Sequence, residues 1–330
     1  MGGYNVVLIH GFQPDNLMSG PQNASQRQAN GDQYWLDYWG ARASARIDFD
    51  SNGRVQGAIA SEAYAQIRQI AQNGTCAQGC IYVTHSTGDL VARYMLAHQN
   101  RWLQAEGIQP FNVIATLDLA GAGGGTDLAS LAISVANNDS WTLAPAKAAV
   151  GWFLGFEPTA GNLGVINDLQ PNVARNTATS ANSMPRLRVV GSGSPFFGAT
   201  GPFITGSDDG VVPVASACGG IAHEAVDSCV SDLAMDGERT GVSAPRGLWF
   251  NHIPLLMSDG SKHNEMLGRE TGHVAVPVIS QGSFGPLAVA ISTREYQQRA
   301  WWQLWGQGKT YVEVPGSAGT HLSATAFGSF

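Results

Sequence analysis

The sequence predicts an α/β fold built on a mostly parallel sheet flanked by helices, and three observations carry that expectation. Short apolar runs recur along the chain, they alternate with segments whose apolar residues fall at helical spacing, and glycine-rich turns separate the two. Hydrophobic residues make up 44 % of the 330 and charged residues 13 %, about half of the ~25 % charge usual in soluble domains. A sizeable core is therefore expected, and disorder driven by self-repulsion is excluded. A single domain, residues 1–330, is the default for such a fold carrying insertions.

Residues 4–9 (YNVVLI) form an apolar run that opens into His10-Gly11-Phe12, which predicts a buried strand feeding a loop. The mostly polar stretch 13–33 shows no periodicity. Over 55–72 the apolar positions Ile59, Ala63, Ile67, Ile70 and Ala71 recur at helical spacing until Asn73-Gly74 ends the pattern, so a helix is expected. Residues 80–84 (CIYVT) predict a second strand, and Leu90, Val91, Tyr94, Met95 and Leu96 mark the helix that follows its turn. A third strand covers 112–119, closed by the glycine cluster Gly121, Gly123, Gly124 and Gly125. A fourth covers 186–190 and a fifth 248–257, weakened at its far end by Pro254. The roughly sixty residues between the third and fourth strands are too many for a simple crossover, so residues 127–185 are expected to form a cap or lid insertion. The run 294–305, with Trp301, Trp302, Leu304 and Trp305, predicts a C-terminal helix packed on the sheet.

The net charge of −7, without any run of Lys or Arg, excludes nucleic acid as an expected partner. No stretch approaches the ~18 apolar residues of a membrane span. A first strand beginning near residue 4 leaves no room for a signal peptide, so an exported protein would be shown here in its mature form, secreted or periplasmic. The four cysteines form two close pairs, Cys76 with Cys80 and Cys218 with Cys229. An even count at short spacing predicts two local disulfides and an oxidising compartment, with free thiols or half of a metal site as the alternatives. Zinc is not expected, because neither pair has the C-x2-C spacing.

Thr84-His85-Ser86-Thr87-Gly88 lies between an apolar strand and an apolar-periodic helix, the context in which a strained turn exposes a nucleophilic Ser at the edge of a sheet. Thr84 stands where the usual pattern has Gly. The plainer alternative is a Ser capping a helix.

Together, Ile9-His10-Gly11-Phe12 and Ser86-Thr87-Gly88-Asp89-Leu90-Val91-Ala92-Arg93-Tyr94 resemble the α/β-hydrolase fold serine lipases and esterases of bacterial type. The resemblance covers residues 4–126 and again 206–213, is thin in the cap and is absent after Gly268. It implies a Ser-Asp-His triad with the acid and the base both beyond Ser86, and a fold in which the sheet carries a lid. Gly206-Ser207-Asp208-Asp209-Gly210-Val211-Val212-Pro213 resembles the family's acid turn and puts Asp209 at the acid, with Asp208 as its rival and Asp118 a further alternative. His263 follows a turn-rich loop, where a base that must reach the Ser hydroxyl is expected. His252 and His273 remain alternatives, while His223 and His321 are placed less well. By residue match the oxyanion hole would be the backbone N–H groups of Phe12 and Thr87. His10 would brace its loop, and His85 would point away from the nucleophile.

The implied activity is hydrolysis of a small-molecule or lipid ester through an acyl-enzyme, without a cofactor. An acyltransferase or amidase on the same site, or an inactive binding protein of the same fold, are the alternatives. Glu265 stands where lipases that bind calcium commonly carry Asp, and no metal is assigned. Residues 144–156, nearly uncharged and carrying Trp152 and Phe153, are expected either to line the acyl site as a lid that meets a lipid interface transiently or to be a buried core helix. Oligomeric state is left open.

Overall fold

The amino-terminal apolar run folds as strand β1 (Asn5–Ile9), buried at four of its five residues and paired with a parallel neighbour on each side. The computed structural model describes residues 1–138, 144–177, 184–194, 198–299 and 308–330. In it, β2 (Ala45–Ile47), β1, β3 (Cys80–His85), β4 (Val113–Leu119), β5 (Arg186–Gly191), β6 (His252–Ser258) and β7 (Val276–Pro277) lie side by side in that order. The first six run parallel, and β7 is antiparallel to β6. Every residue of β3, β4 and β5 is buried, as expected of central strands covered on both faces. Alternate residues of β1 serve two cores: Val7 and Ile9 face one, Val6 and Leu8 the other.

The stretch read as aperiodic, 13–33, is in fact largely helical. It holds α1 (Pro14–Ser19) and α2 (Ala24–Tyr34), followed by α3 (Leu36–Gly40). Their stability is local and polar, which is why an apolar stripe did not reveal them. Pro14 opens α1, and α2 begins with a capping box in which Asn23 Oδ1 accepts from Gln26 N–H at 3.0 Å and Gln26 Oε1 accepts from Asn23 N–H at 2.9 Å. The expected helices follow as α4 (Ala60–Gln72) and α5 (Thr87–Ala105). The inserted region contributes α6 (Asp127–Ala136), α7 (Ala144–Leu154) and α8 (Pro171–Thr177). A short α9 (Val214–Ala217) follows the acidic turn.

Two element readings need correction, one of a strand and one of a helix. The fifth expected strand begins at His252 rather than 248, because Asn251 takes φ +62°, outside the extended region. The run 294–305 is not a helix over its described part. Arg294–Gln298 is strand β10, paired antiparallel with β11 (Lys309–Glu313), with Tyr296 stacked on Tyr311 at 5.7 Å and Arg294 bonded to Glu313. Trp301, Trp302, Leu304 and Trp305 lie outside the described residues. The preceding hairpin is β8 (Gln281–Phe284) with β9 (Leu287–Ala290), and α10 (Leu322–Phe327) closes the second core against Trp39, whose Nε1 donates to Ser323 Oγ at 2.9 Å. Among the described residues no helix is long and apolar enough to cross a membrane.

Both expected disulfides are present, Cys76–Cys80 before β3 and Cys218–Cys229 behind the acidic turn. The strand order, with the Ser86 turn joining β3 to α5 at the carboxyl edge, is the α/β-hydrolase fold.

Candidate active site

Ser86 adopts φ +55° and ψ −125° between β3 and α5. A non-glycine residue held there costs on the order of 1–3 kcal/mol, which persists only where the surroundings over-determine it. Those surroundings are visible as close approaches that exclude side chains. A Cβ on Gly88 would fall 2.2 Å from the Ile9 carbonyl oxygen, so glycine lets α5 meet the end of β1. A Cβ on Gly11 would fall 2.8 Å from the Ser86 Cβ and 2.2 Å from the Tyr34 hydroxyl, so glycine lets the loop after β1 lie directly against the turn. Thr84, the departure from the usual pattern, is fully buried and donates to Asp118 Oδ1 at 2.6 Å, tying β3 to β4.

Asp209 is buried, and its carboxylate is fully engaged. Oδ1 accepts from Val211 N–H at 3.0 Å and Val212 N–H at 2.7 Å, while Oδ2 lies 2.8 Å from His263 Nδ1. His263 N–H also donates to the Asp209 carbonyl at 3.0 Å. A carboxylate can only accept here, so Nδ1 carries the proton and Nε2 of neutral His263 is left as the acceptor. Ser86, Thr87 and His263 line one cavity with Phe12, Ala122, Phe153, Leu169, Val211 and Val212. Ser86 Oγ makes no hydrogen bond among the described residues, and the amides of Phe12 and Thr87 likewise have no partner there. The Thr87 hydroxyl, also buried, has no hydrogen-bond partner among the described residues.

The rival residues are occupied elsewhere. Asp208 caps its own turn, accepting from Gly210 N–H at 2.7 Å, and burial pushes its carboxyl up to about 6. Asp118 is held by Thr84, Thr116 and the β5 arginines. His252 is buried beside Arg188, and burial holds its imidazole well below the usual range. His223 bonds Asp127 at 2.7 Å, His321 caps α10, and His273 lies 3.6 Å from Glu265. Glu265 itself pairs with Lys262 at 2.7 Å. Phe153 is brought to the cavity, its ring 5.8 Å from that of Phe12. Trp152 is not: it is 52 % exposed on the outer side of α7.

His10 braces the loop in a defined tautomer. Phe49 N–H donates to its Nε2 at 3.0 Å, so Nδ1–H donates to the Gly11 carbonyl at 2.7 Å, and burial lowers its pKa to about 4. His85 does not simply point away. Its Nε2 lies 3.0 Å from the His263 carbonyl, its ring centroid is 4.7 Å from that of His263, and its Nδ1 meets the Tyr34 hydroxyl. Because the carbonyl must accept, Nε2 donates and Tyr34 donates to Nδ1. Tyr34 and His85 thus hold the His263 backbone from behind, a role invisible in sequence because the partners are 51 and 178 residues apart.

Beneath the turn lies a buried charge cluster that sequence reading also missed. Asp89, on the first turn of α5, accepts from Gly123 N–H at 2.9 Å, Arg186 Nη2 at 2.8 Å and Arg188 Nη1 at 2.5 Å. Burial would raise its pKa, yet the two guanidinium groups hold it below the ordinary value. Two glycines of the cluster follow from this contact, since a Cβ on Gly121 would sit 2.6 Å and one on Gly123 2.4 Å from Asp89 Oδ2. Asp89→Asn would leave the two buried arginines with Asp118 as their remaining carboxylate partner, and breaking a buried pair costs about 3–5 kcal/mol. Urea unfolding of the variant should show that loss; a change below about 1 kcal/mol would refute the role given to Asp89.

No protein-family model and no curated protein sequence matches the chain. Among solved structures it is similar to the lipase BlEst2 of Bacillus licheniformis in its mature form, at 20 % identity over 67 % of this chain and 81 % of that one, with a TM-score of 0.45. It is similar to the lipase of Staphylococcus hyicus at 14 % identity over 80 % and 89 %, with a TM-score of 0.45. It is also similar to phospholipase PlaB of Legionella pneumophila at 20 % identity over 66 %, TM-score 0.39, and there spans 46 % of the other chain.

Proposed function

We propose that the protein is a serine carboxylic-ester hydrolase of lipase or esterase type. The observation that carries this reading is the buried Asp209–His263 hydrogen bond, which leaves Nε2 as the basic nitrogen of a histidine lining the same cavity as the strained Ser86. In the proposed reaction Ser86 Oγ attacks the ester carbonyl and His263 Nε2 takes its proton. The oxyanion is met by the free N–H groups of Phe12 and Thr87, each worth ~3–4 kcal/mol where such donors have been removed from other enzymes. His263 then returns the proton to the leaving alcohol, and water, deprotonated by the same nitrogen, releases the acid from Ser86. Asp209 keeps the imidazole in the required tautomer throughout.

Residues 127–185 act in this reading as the cap, with Phe153 of α7 closing the acyl site. The cavity at Ser86 encloses about 100 Å³, less than the ~150 Å³ that accommodates a benzene ring. A space of that size favours short acyl chains. The two disulfides support export to an oxidising compartment. The test is a p-nitrophenyl ester series from acetate to laurate, on the parent and on a variant carrying Trp152→Ser and Phe153→Ser. Hydrolysis with a maximum at short chains is expected, and no turnover of any ester would contradict the proposal. If α7 is a lipid-facing lid, the variant loses activity on emulsified long-chain esters far more than on dissolved short ones; parallel losses with a falling Tm make α7 core.

A further inference from the structure

Helix α2 supplies one group that the proposed reaction does not use, the hydroxyl of its last residue, Tyr34. This hydroxyl donates to His85 Nδ1, and His85 Nε2 in turn donates to the His263 carbonyl at 3.0 Å. On its other side it lies against the loop after β1, where a Cβ on Gly11 would fall 2.2 Å from it. Burial raises the Tyr34 pKa above the ordinary phenol value, against the pull of the Gly11 backbone bonded to its oxygen, so the hydroxyl keeps the proton it donates. From His263 the series continues to the Asp209 carbonyl through N–H at 3.0 Å and to the Asp209 carboxylate through Nδ1 at 2.8 Å. A chain of hydrogen bonds therefore runs from Gly11, the residue before the oxyanion amide of Phe12, through Tyr34 and His85 to the base and the acid.

The direction of this chain is fixed. The His263 carbonyl must accept, so His85 carries its proton on Nε2 and offers Nδ1 as an acceptor, the opposite tautomer to that of His263. Such an Nδ1 needs a donor, and among the described residues the one that reaches it is Tyr34. A charged His85 is excluded as well, since burial first and then the charge of His263 hold its imidazole well below the usual range, with the two rings 4.7 Å apart. We propose that Tyr34 is a positioning residue for ester hydrolysis: its hydroxyl holds His85 in the neutral Nε2–H form, and His85 thereby fixes His263 relative to the loop that carries the Phe12 amide. Resting on the ester-hydrolase reading, this gives α2 a part in the proton transfer from Ser86. Without the hydroxyl, His85 either buries an unpaired Nδ1 or turns its other lone pair on the His263 carbonyl, and both loosen the base. A base misplaced by ~1 Å costs on the order of a hundredfold in rate.

The experiment measures kcat and KM for dissolved p-nitrophenyl butyrate, the rate at which a fluorophosphonate labels Ser86, and Tm, for the parent, Tyr34→Phe, His85→Leu and the double variant. The proposal expects Tyr34→Phe to lower kcat and the labelling rate together by about 10- to 100-fold, with KM within about threefold of the parent because the ring that lines the cavity is kept. The double variant should be no slower than His85→Leu, since Tyr34 acts through His85. A Tyr34→Phe kcat within about threefold of the parent, a loss confined to KM, or losses that multiply in the double variant would overturn the role of Tyr34 and leave the hydrolase reading intact. Should His85→Leu not fold, Tyr34→Phe decides alone: a falling Tm with kcat unchanged would make the contact structural. A parent that neither hydrolyses the ester nor takes the label would remove the hydrolase reading, and this proposal with it.

Discussion

Replacing Ser86 with Ala is expected to lower ester turnover by about a millionfold, the loss seen when a serine nucleophile is removed from an intact triad. The residual rate reflects binding and the oxyanion donors alone. The fold should survive. The conformation of residue 86 is imposed by the close approach of Gly11 and Gly88 to the strand and the loop, and its hydroxyl makes no hydrogen bond among the described residues. Circular dichroism and thermal unfolding of the variant should match the parent. Turnover within about tenfold of the parent, with the structure unchanged, would remove Ser86 from the chemistry.

Asp209→Asn is the second large effect, expected at about 10⁴-fold in kcat. The substitution preserves shape, but the amide now has a donor, and the turn limits which way it can face. Its oxygen is needed by Val211 N–H and Val212 N–H, so its NH2 group points at His263 Nδ1. That contact favours the tautomer with the proton on Nε2, the one unable to accept a proton from Ser86. Asp208→Asn is the matched control, because Asp208 caps only its own turn. If the Asp208 variant loses as much as the Asp209 variant, or the latter retains a tenth of its activity, the acid has been misassigned.

What the sequence makes legible follows from how local each feature is. The Ser86 turn reads directly because strand, turn and helix are contiguous, and Asp209 and His263 follow from a family resemblance in chain order. The polar helices α1 and α2 do not read, since a capping box and side-chain amides rather than an apolar stripe define them. Tyr34 and His85, and the cluster of Asp89 with Arg186 and Arg188, join residues 51 to 178 apart, so no spacing rule could assemble them. The C-terminal region misleads for another reason. Residues 294–298 sit in a hairpin whose partner strand lies at 309–313, and tertiary pairing there overrides the helical reading of the sequence.

The central claim is that Ser86 is an activated nucleophile, and covalent labelling tests it most directly. Treated with a fluorophosphonate, the protein should gain the mass of one phosphonyl group, and peptide mapping should place it on Ser86; the Ser86→Ala variant should gain none. An unmodified parent, or a single adduct on any other residue, would contradict the account.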